Sequence, residues 1–221
     1  MSSTTAARSN ARFAILVTLA VLTVGAIIVA GLLATRPGPT APEAGVSLVT
    51  PDTQLLAEGS SGVELVEFGD FECPACATFE PYLDELRERY AGELTIAFRH
   101  FPLPQHTHAI DAALAAEAAG LQGRFAEMHD LLYATQGEWS GADDAAALFR
   151  GYAERLGLDL AAYDTAVADA GTRAAVDADA EAGAALGVNS TPTFYLDGKR
   201  LELTRYTDLA DAVEAALADA R

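Results

Sequence analysis

The chain has 221 residues, of which 32 are acidic and 14 are basic, and its net charge at pH 7 is −18. Every acid lies at or beyond Glu43. This charge repels the phosphates of nucleic acids and of anionic lipids, and it argues against both as partners of the folded part. About 170 residues follow the N-terminal segment, enough for one domain with a substantial core.

An apolar stretch, residues 13–34, contains no charged side chain. A helix of roughly 20 residues crosses the hydrocarbon core of a bilayer. Because Arg8 and Arg12 precede the stretch, the positive-inside rule predicts that residues 1–12 are cytoplasmic and that the rest of the chain lies outside. We predict an uncleaved, single-pass anchor in the cell membrane. A cleavable signal peptide is the alternative, but its apolar core is usually about 7–15 residues long.

A short segment, residues 35–45, is rich in Pro, Gly and Ala and is predicted to be a linker. It would hold the folded domain, residues 46–221, away from the membrane. With either an anchor or a signal peptide, this domain lies outside the cytoplasm, where disulfides persist.

The first part of the domain has a strand–helix–strand pattern. Residues 63–68 form an apolar, β-branched run that predicts a buried strand. Apolar side chains then recur at helical spacing from Cys73 to near Gly92, and residues 94–98 predict a second strand. The two strands should be parallel because a helix connects them. Residues 104–187 are predicted to be a helical insertion.

The strand pattern returns near the C-terminus. Residues 193–196 predict a strand, the Asp197–Gly198 pair predicts a tight hairpin turn, and residues 200–203 predict the antiparallel partner. A last helix is predicted over residues 207–220. The predicted class is α/β, with a mixed sheet covered by helices on both faces.

The only two cysteines, Cys73 and Cys76, lie in the tetrapeptide Cys-Pro-Ala-Cys. A disulfide that closes so short a loop removes little chain entropy, so it stabilises a fold poorly but opens and closes readily. Cys73 should lie at the start of a helix, where free N–H groups and the helix dipole stabilise a thiolate. We predict that Cys73 is the attacking sulfur and that Cys76, one turn later, is the resolving sulfur.

Two other uses of the cysteines are compatible with the sequence. A zinc site would need two further ligands, and the histidines are spaced irregularly relative to the cysteines; they are His100, His106, His108 and His129. A purely structural disulfide is the second alternative. We predict neither a metal site nor a cofactor.

Three motifs, at residues 67–76, 98–103 and 187–194, occur in an order that resembles the DsbA-like thioredoxin family. These proteins are membrane-anchored or secreted thiol–disulfide oxidoreductases of bacteria. The resemblance runs from about Val46 to the C-terminus, and it implies a thioredoxin fold with a helical insertion.

The resemblance also implies roles for individual residues. Thr191 and Pro192 match the cis-proline loop that faces the active-site cysteine, where the Thr191 backbone would pair with an extended substrate chain. Glu67 matches the buried acid that relays protons to and from the resolving cysteine. The pattern supports this role independently, since Glu67 interrupts an apolar strand, although a structural carboxylate is possible there.

The predicted function is the introduction of disulfides into reduced secreted proteins, with reoxidation by a membrane redox partner that the family implies. The family's best-known oxidant has a histidine within the motif, whereas this chain has Pro74 and Ala75. We therefore expect a reduction potential between those of thioredoxin, about −270 mV, and DsbA, about −120 mV. The alternatives are a reductase or isomerase of the same fold, and a redox-inert, membrane-tethered binding domain.

Overall fold

The computed structural model describes residues 47–221. The predicted cytoplasmic segment, anchor and linker, residues 1–12, 13–34 and 35–45, lie outside the described residues. Within residues 47–221, no helix combines the length and the apolar character needed to cross a bilayer.

Five strands of the described chain form one mixed sheet in the order β1-β3-β2-β4-β5. β2 and β3 are parallel, as predicted, and the other neighbouring pairs are antiparallel. The strands are β1 (Gln54–Ala57), β2 (Glu64–Gly69), β3 (Thr95–His100), β4 (Thr193–Leu196) and β5 (Lys199–Arg200).

Helices occupy most of the remaining described residues. One helix connects β2 to β3, six lie between β3 and β4, and one ends the chain. They are α1 (Pro74–Arg89), α2 (Ala109–Gly120), α3 (Phe125–Ala134), α4 (Gln136–Trp139), α5 (Ala145–Arg155), α6 (Leu160–Val167), α7 (Ala170–Ala185) and α8 (Thr207–Asp219). The predicted α/β class with a mixed sheet is confirmed.

The central strand, β2, is buried on both faces of the sheet. Leu65 packs into the main core, whereas Val66 and Phe68 pack into a second cluster with Val188 and Tyr195. Side chains alternate between the faces of a strand, so burial on both faces accounts for the continuous apolar run. The same alternation places Glu67 on the face of Leu65, toward the main core.

Two strands differ from the sequence-based expectation. β1 was not predicted, because its four residues carry no alternating pattern; it pairs with the outer side of β3. The hairpin strand was predicted over residues 200–203, but β5 begins at Lys199. Asp197 and Gly198 both have positive φ, and this two-residue turn places Lys199 directly opposite Leu196.

Candidate active site

Cys73 lies between the end of β2 and the first turn of α1. Gly69 ends the strand where the chain passes close to the Phe98 ring, and a Cβ at this position would collide with that ring. The Cys73 N–H donates to the Asp70 carbonyl oxygen at 3.0 Å. Cys73 is the N-cap of α1 in an extended conformation, and Pro74 follows in the first turn, where its missing N–H costs nothing.

The Cys73 sulfur has a strongly lowered pKa, although the residue is only 6% exposed. A hydrogen bond with the Cys76 thiol is the largest cause; the Thr191 side chain and the backbone N–H groups of Cys76 and Ala75 also contribute. Together they outweigh burial and lower the pKa of Cys73 to about 5. A thiol of this pKa is ionised at neutral pH, and the thiolate is the reactive form.

The pKa of Cys76 is shifted in the opposite direction from that of Cys73. Cys76 is completely buried within the first turn of α1. Burial is the main cause that raises the pKa of Cys76 well above its usual value, and the hydrogen bond with Cys73 and the charge of Glu67 add to it. Both cysteines are free thiols in this structure. Cys76 therefore holds a proton under conditions in which Cys73 does not.

Glu67 is fully buried on β2, where it is paired in register with Phe98 on one side and Phe194 on the other. Among the described residues, neither carboxylate oxygen has a partner within hydrogen-bond distance. Burial is the main cause that raises the pKa of Glu67 to about 8; the charge of Cys73 adds to the rise, and the Cys76 thiol opposes it. An acid that titrates near neutral pH beside Cys76 is suited to exchange a proton with it.

The loop that precedes β4 reaches the site from the far end of the chain. The Thr191–Pro192 peptide bond is cis. The Thr191 carbonyl oxygen lies 3.4 Å from Cys73 Sγ and accepts a hydrogen bond from the thiol when Cys73 is protonated. Pro192 lines a groove of about 200 Å³ beside Phe79 and Phe194. The structure thus places Thr191 against Cys73, and an accessible groove continues from Pro192.

One residue at the site was missed by the sequence analysis. The Gln136 side-chain N–H₂ group donates to the Phe71 carbonyl at 2.7 Å and to the Cys73 carbonyl at 3.0 Å. These bonds join the helical insertion to the loop that carries Cys73. No local pattern marks this role, because a half-buried glutamine at a helix start has many ordinary uses.

The aspartate before the motif also organises the loop. The buried Asp70 carboxylate accepts hydrogen bonds from the Glu72 N–H at 2.8 Å, the Leu103 N–H at 2.8 Å and His106 Nδ1 at 2.7 Å. This contact leaves His106 half-buried. His108 is half-buried as well, and its N–H donates to the Glu72 carboxylate.

One group of potential metal ligands occurs within residues 47–221: Glu80, His129 and Asp130, whose ligand atoms lie within 4.8 Å of one another. It contains neither cysteine. Arg87 donates to both Asp130 oxygens, at 2.8 and 2.9 Å, so this carboxylate already has a cationic partner. The nearby guanidinium opposes a metal ion, and we assign none.

Comparison with known proteins identifies the family. The family model described as thioredoxin matches residues 51–215, most of the chain. The chain belongs to the thioredoxin family. Its form of the thioredoxin fold is DsbA-like. The structure of alpha-DsbA1 from Wolbachia pipientis matches it with a TM-score of 0.66 and 19% sequence identity, over 78% of this chain and 94% of that one.

Two further proteins resemble the chain, one over most of its own length and the other over a small part of it. A thioredoxin-like oxidoreductase from Silicibacter pomeroyi matches with a TM-score of 0.61 and 25% identity, over 76% of this chain and 93% of that one. The Na(+)/H(+) antiporter NhaA 1 of Salinispora arenicola is 45% identical over 139 residues, which are 62% of this chain but only 20% of the antiporter. This thioredoxin-family chain therefore matches only a minor part of the antiporter's length.

Proposed function

We propose that this thioredoxin-family domain is an extracytoplasmic thiol–disulfide oxidoreductase that introduces disulfides into reduced secreted proteins through Cys73 and Cys76. The observation that carries the proposal is the chemical difference between the two sulfurs. One has a pKa of about 5 beside the Thr191 carbonyl, and the other is buried, with a raised pKa, near Glu67. A binding domain with no redox chemistry has no need of this difference.

The geometry supports a specific order of events. A substrate thiolate attacks Cys73 Sγ in the disulfide form; the S–S bond breaks, and its electron pair leaves on Cys76, which takes a proton from Glu67. The second substrate thiolate then attacks the substrate sulfur of the mixed disulfide, and Cys73 leaves as a thiolate. The substrate is oxidised by two electrons and the Cys73–Cys76 pair is reduced by two. The Thr191 backbone and the Pro192 groove would hold the substrate as an added strand.

The proposed direction of electron flow rests on the stability of the dithiol form. A lower pKa of the attacking sulfur stabilises the reduced protein and makes its disulfide more oxidising. The Cys73 pKa of about 5 lies between those of thioredoxin, about 7, and DsbA, about 3.5. This supports a reduction potential between the potentials of those two proteins.

Location and partners are proposed from the sequence. Residues 13–34 would anchor the chain with its C-terminal domain outside the cytoplasm. Each turnover leaves Cys73 and Cys76 reduced, so an oxidant must accept two electrons and restore the disulfide. We propose a membrane redox partner for this step.

The test is disulfide formation in a reduced, unfolded secreted protein that is mixed with the full chain. Cys73→Ser should abolish the activity, because the variant cannot form the Cys73–Cys76 disulfide and its remaining sulfur, Cys76, is fully buried. Cys76→Ser is the matched control; starting from a mixed disulfide with glutathione, it should release glutathione to a substrate that carries a single thiol and accumulate as a Cys73–substrate adduct, because no second thiol is present to resolve it. Full activity of Cys73→Ser, or an adduct formed without Cys73, would contradict the proposal.

A further inference from the structure

The turn that ends at Cys73 is built around Asp70. The Cys73 N–H donates to the Asp70 carbonyl oxygen at 3.0 Å, and the Glu72 N–H donates to Asp70 Oδ1 at 2.8 Å. A four-residue turn brings the Cα atoms of its first and last residues within about 7 Å of each other. The Asp70 carboxylate thus shapes the main chain that presents the Cys73 sulfur, and its charge lies close to that sulfur.

The charge of Asp70 has one candidate for a cationic partner. The Asp70 side chain is 0% exposed. A buried carboxylate is costly unless it is paired, and a negative charge near Cys73 opposes the thiolate. Among residues 47–221, no lysine or arginine lies within ion-pair distance of Asp70, whereas His106 Nδ1 is 2.7 Å from Asp70 Oδ2. His106 is therefore the side chain that can balance this charge.

His106 is held in place but remains in contact with solvent. It lies in the loop between β3 and α2, where its N–H donates to the Leu103 carbonyl oxygen at 3.0 Å, and the Leu103 N–H donates to Asp70 Oδ2 at 2.8 Å. Because 18% of the His106 side chain is exposed, the imidazole can exchange protons with water. Histidine is the side chain that ordinarily changes its charge between about pH 5 and 8. The contact with Asp70 can therefore be an ion pair or a neutral hydrogen bond.

We propose that His106 is a positioning residue for the Cys73 thiolate that acts through Asp70: it holds the Asp70 carboxylate in the turn and, as an imidazolium, offsets the negative charge near the sulfur. This inference rests on the proposed function. The two residues between the cysteines, Pro74 and Ala75, carry no charge. A histidine from a neighbouring loop thus supplies the positive charge, and it favours the dithiol form, because the thiolate exists only in that form.

The second histidine of this loop has a different partner. His108 donates its main-chain N–H to the Glu72 carboxylate at 2.6 Å, and its Nε2 atom donates to the Ala142 carbonyl oxygen at 2.9 Å. The His108 side chain is therefore bonded to a neutral group, although it lies only two residues after His106. The titratable groups around Asp70 and His106, from the turn, the loop, α1 and α3, are Glu72, Cys73, Cys76, His108 and Tyr133.

The test compares His106→Asn with His108→Gln in the full chain. Asparagine keeps a donor at the position of Nδ1 without the charge, and glutamine does the same for Nε2 of His108. Alkylation of Cys73 by iodoacetamide is measured in the dithiol form between about pH 4 and 9. At pH 5, close to the Cys73 pKa of about 5, we expect His106→Asn to slow alkylation about threefold, because less of the thiol is ionised. At pH 8 it should match the parent chain, and His108→Gln should keep the parental profile throughout.

Two further measurements separate a charge effect from general damage. In glutathione buffers at pH 6, we expect His106→Asn to shift the redox equilibrium constant about threefold toward the disulfide form, because the thiolate of the dithiol form loses stabilisation. In the unsubstituted chain, the His106 imidazole, followed by NMR, should titrate at a higher pH in the dithiol form than in the disulfide form, because coupling between two sites is reciprocal. The NMR measurement requires no variant to fold.

The outcomes distinguish the two proposals. If the disulfide form of the parent chain does not oxidise a dithiol peptide, the proposed function fails, whatever His106 does. If the parent chain reacts and His106→Asn keeps the parental alkylation profile and redox equilibrium, the role of His106 is wrong. Equal changes in His106→Asn and His108→Gln, or an identical titration of His106 in both redox forms, would also overturn it.

Discussion

Cys73 and Cys76 are three residues apart, yet they belong to two regions with different physical chemistry. Cys73 lies at the N-cap of α1, where backbone N–H groups and Thr191 surround its sulfur. Cys76 lies in the first turn of the helix, against a buried acid and away from water. One helix start therefore creates both environments: its free N–H groups stabilise a thiolate at Cys73, and the core-facing side of the same turn buries Cys76.

Among the substitutions considered, Glu67→Gln should have the largest effect on the difference in reactivity between Cys73 and Cys76. The amide keeps the size of the side chain but cannot give or accept the proton of Cys76, so we expect reduction of the disulfide to slow about a hundredfold. Alkylation of Cys73 in the dithiol form should change much less, because Thr191 and the backbone N–H groups remain. Stopped-flow reduction and iodoacetamide trapping measure the two sulfurs separately. An equal loss at both sulfurs would show that the two regions are not chemically distinct.

Glu67→Gln also has a defined effect on stability. The folded pKa of Glu67, about 8, lies above its ordinary value of 4.5, so the folded state holds the proton more tightly than the unfolded state. Stability from this group is fully present below pH 4.5 and is lost as the pH rises toward 8, by at most about 1.4 kcal/mol per pH unit.

Urea denaturation of the disulfide form at pH 5, 7 and 9 measures this loss without titration of the cysteines. The parent chain should lose more stability over this range than the Glu67→Gln variant. Parallel pH profiles would contradict the raised pKa of Glu67.

A smaller effect is expected from Gln136→Ala. The substitution removes the side-chain donor of the Phe71 carbonyl, whereas the Cys73 carbonyl keeps the Ala77 N–H at 3.2 Å; we expect a cost of about 1–3 kcal/mol in the free energy of unfolding. Gln122→Ala is the matched control, since Gln122 also forms two hydrogen bonds with the main chain but is distant from the cysteines in sequence and contacts Asp159. These two bonds are exposed to solvent, so their loss should cost about 0.5 kcal/mol or less. Equal losses would show that Gln136 has no special role at the loop.

The sequence predicted the parts of the site whose signals are local. A strand, a short turn and a helix start identify Cys73 and Cys76, and an acid within an apolar strand identifies Glu67. The role of Thr191 was predicted only from the family resemblance, because the hydrogen bond that joins Thr191 to Cys73 spans 118 residues. No physical argument from the sequence alone reports such a contact.

Other parts of the fold depend on packing that the sequence does not display. β1 forms because the outer side of β3 has free backbone groups to pair, and its own four residues show no strand pattern. Gln136 and His129 reach the site only because the helical insertion packs beside α1.

The reduction potential of the Cys73–Cys76 pair tests the central claim most directly, because it measures how much the stabilised Cys73 thiolate favours the dithiol form. The full chain is equilibrated with glutathione buffers, and the fraction of free thiols is determined by alkylation. We predict a value between about −270 and about −120 mV. A value at or below about −270 mV, that of thioredoxin, would contradict the proposal that this domain oxidises its substrates and would favour a reductase.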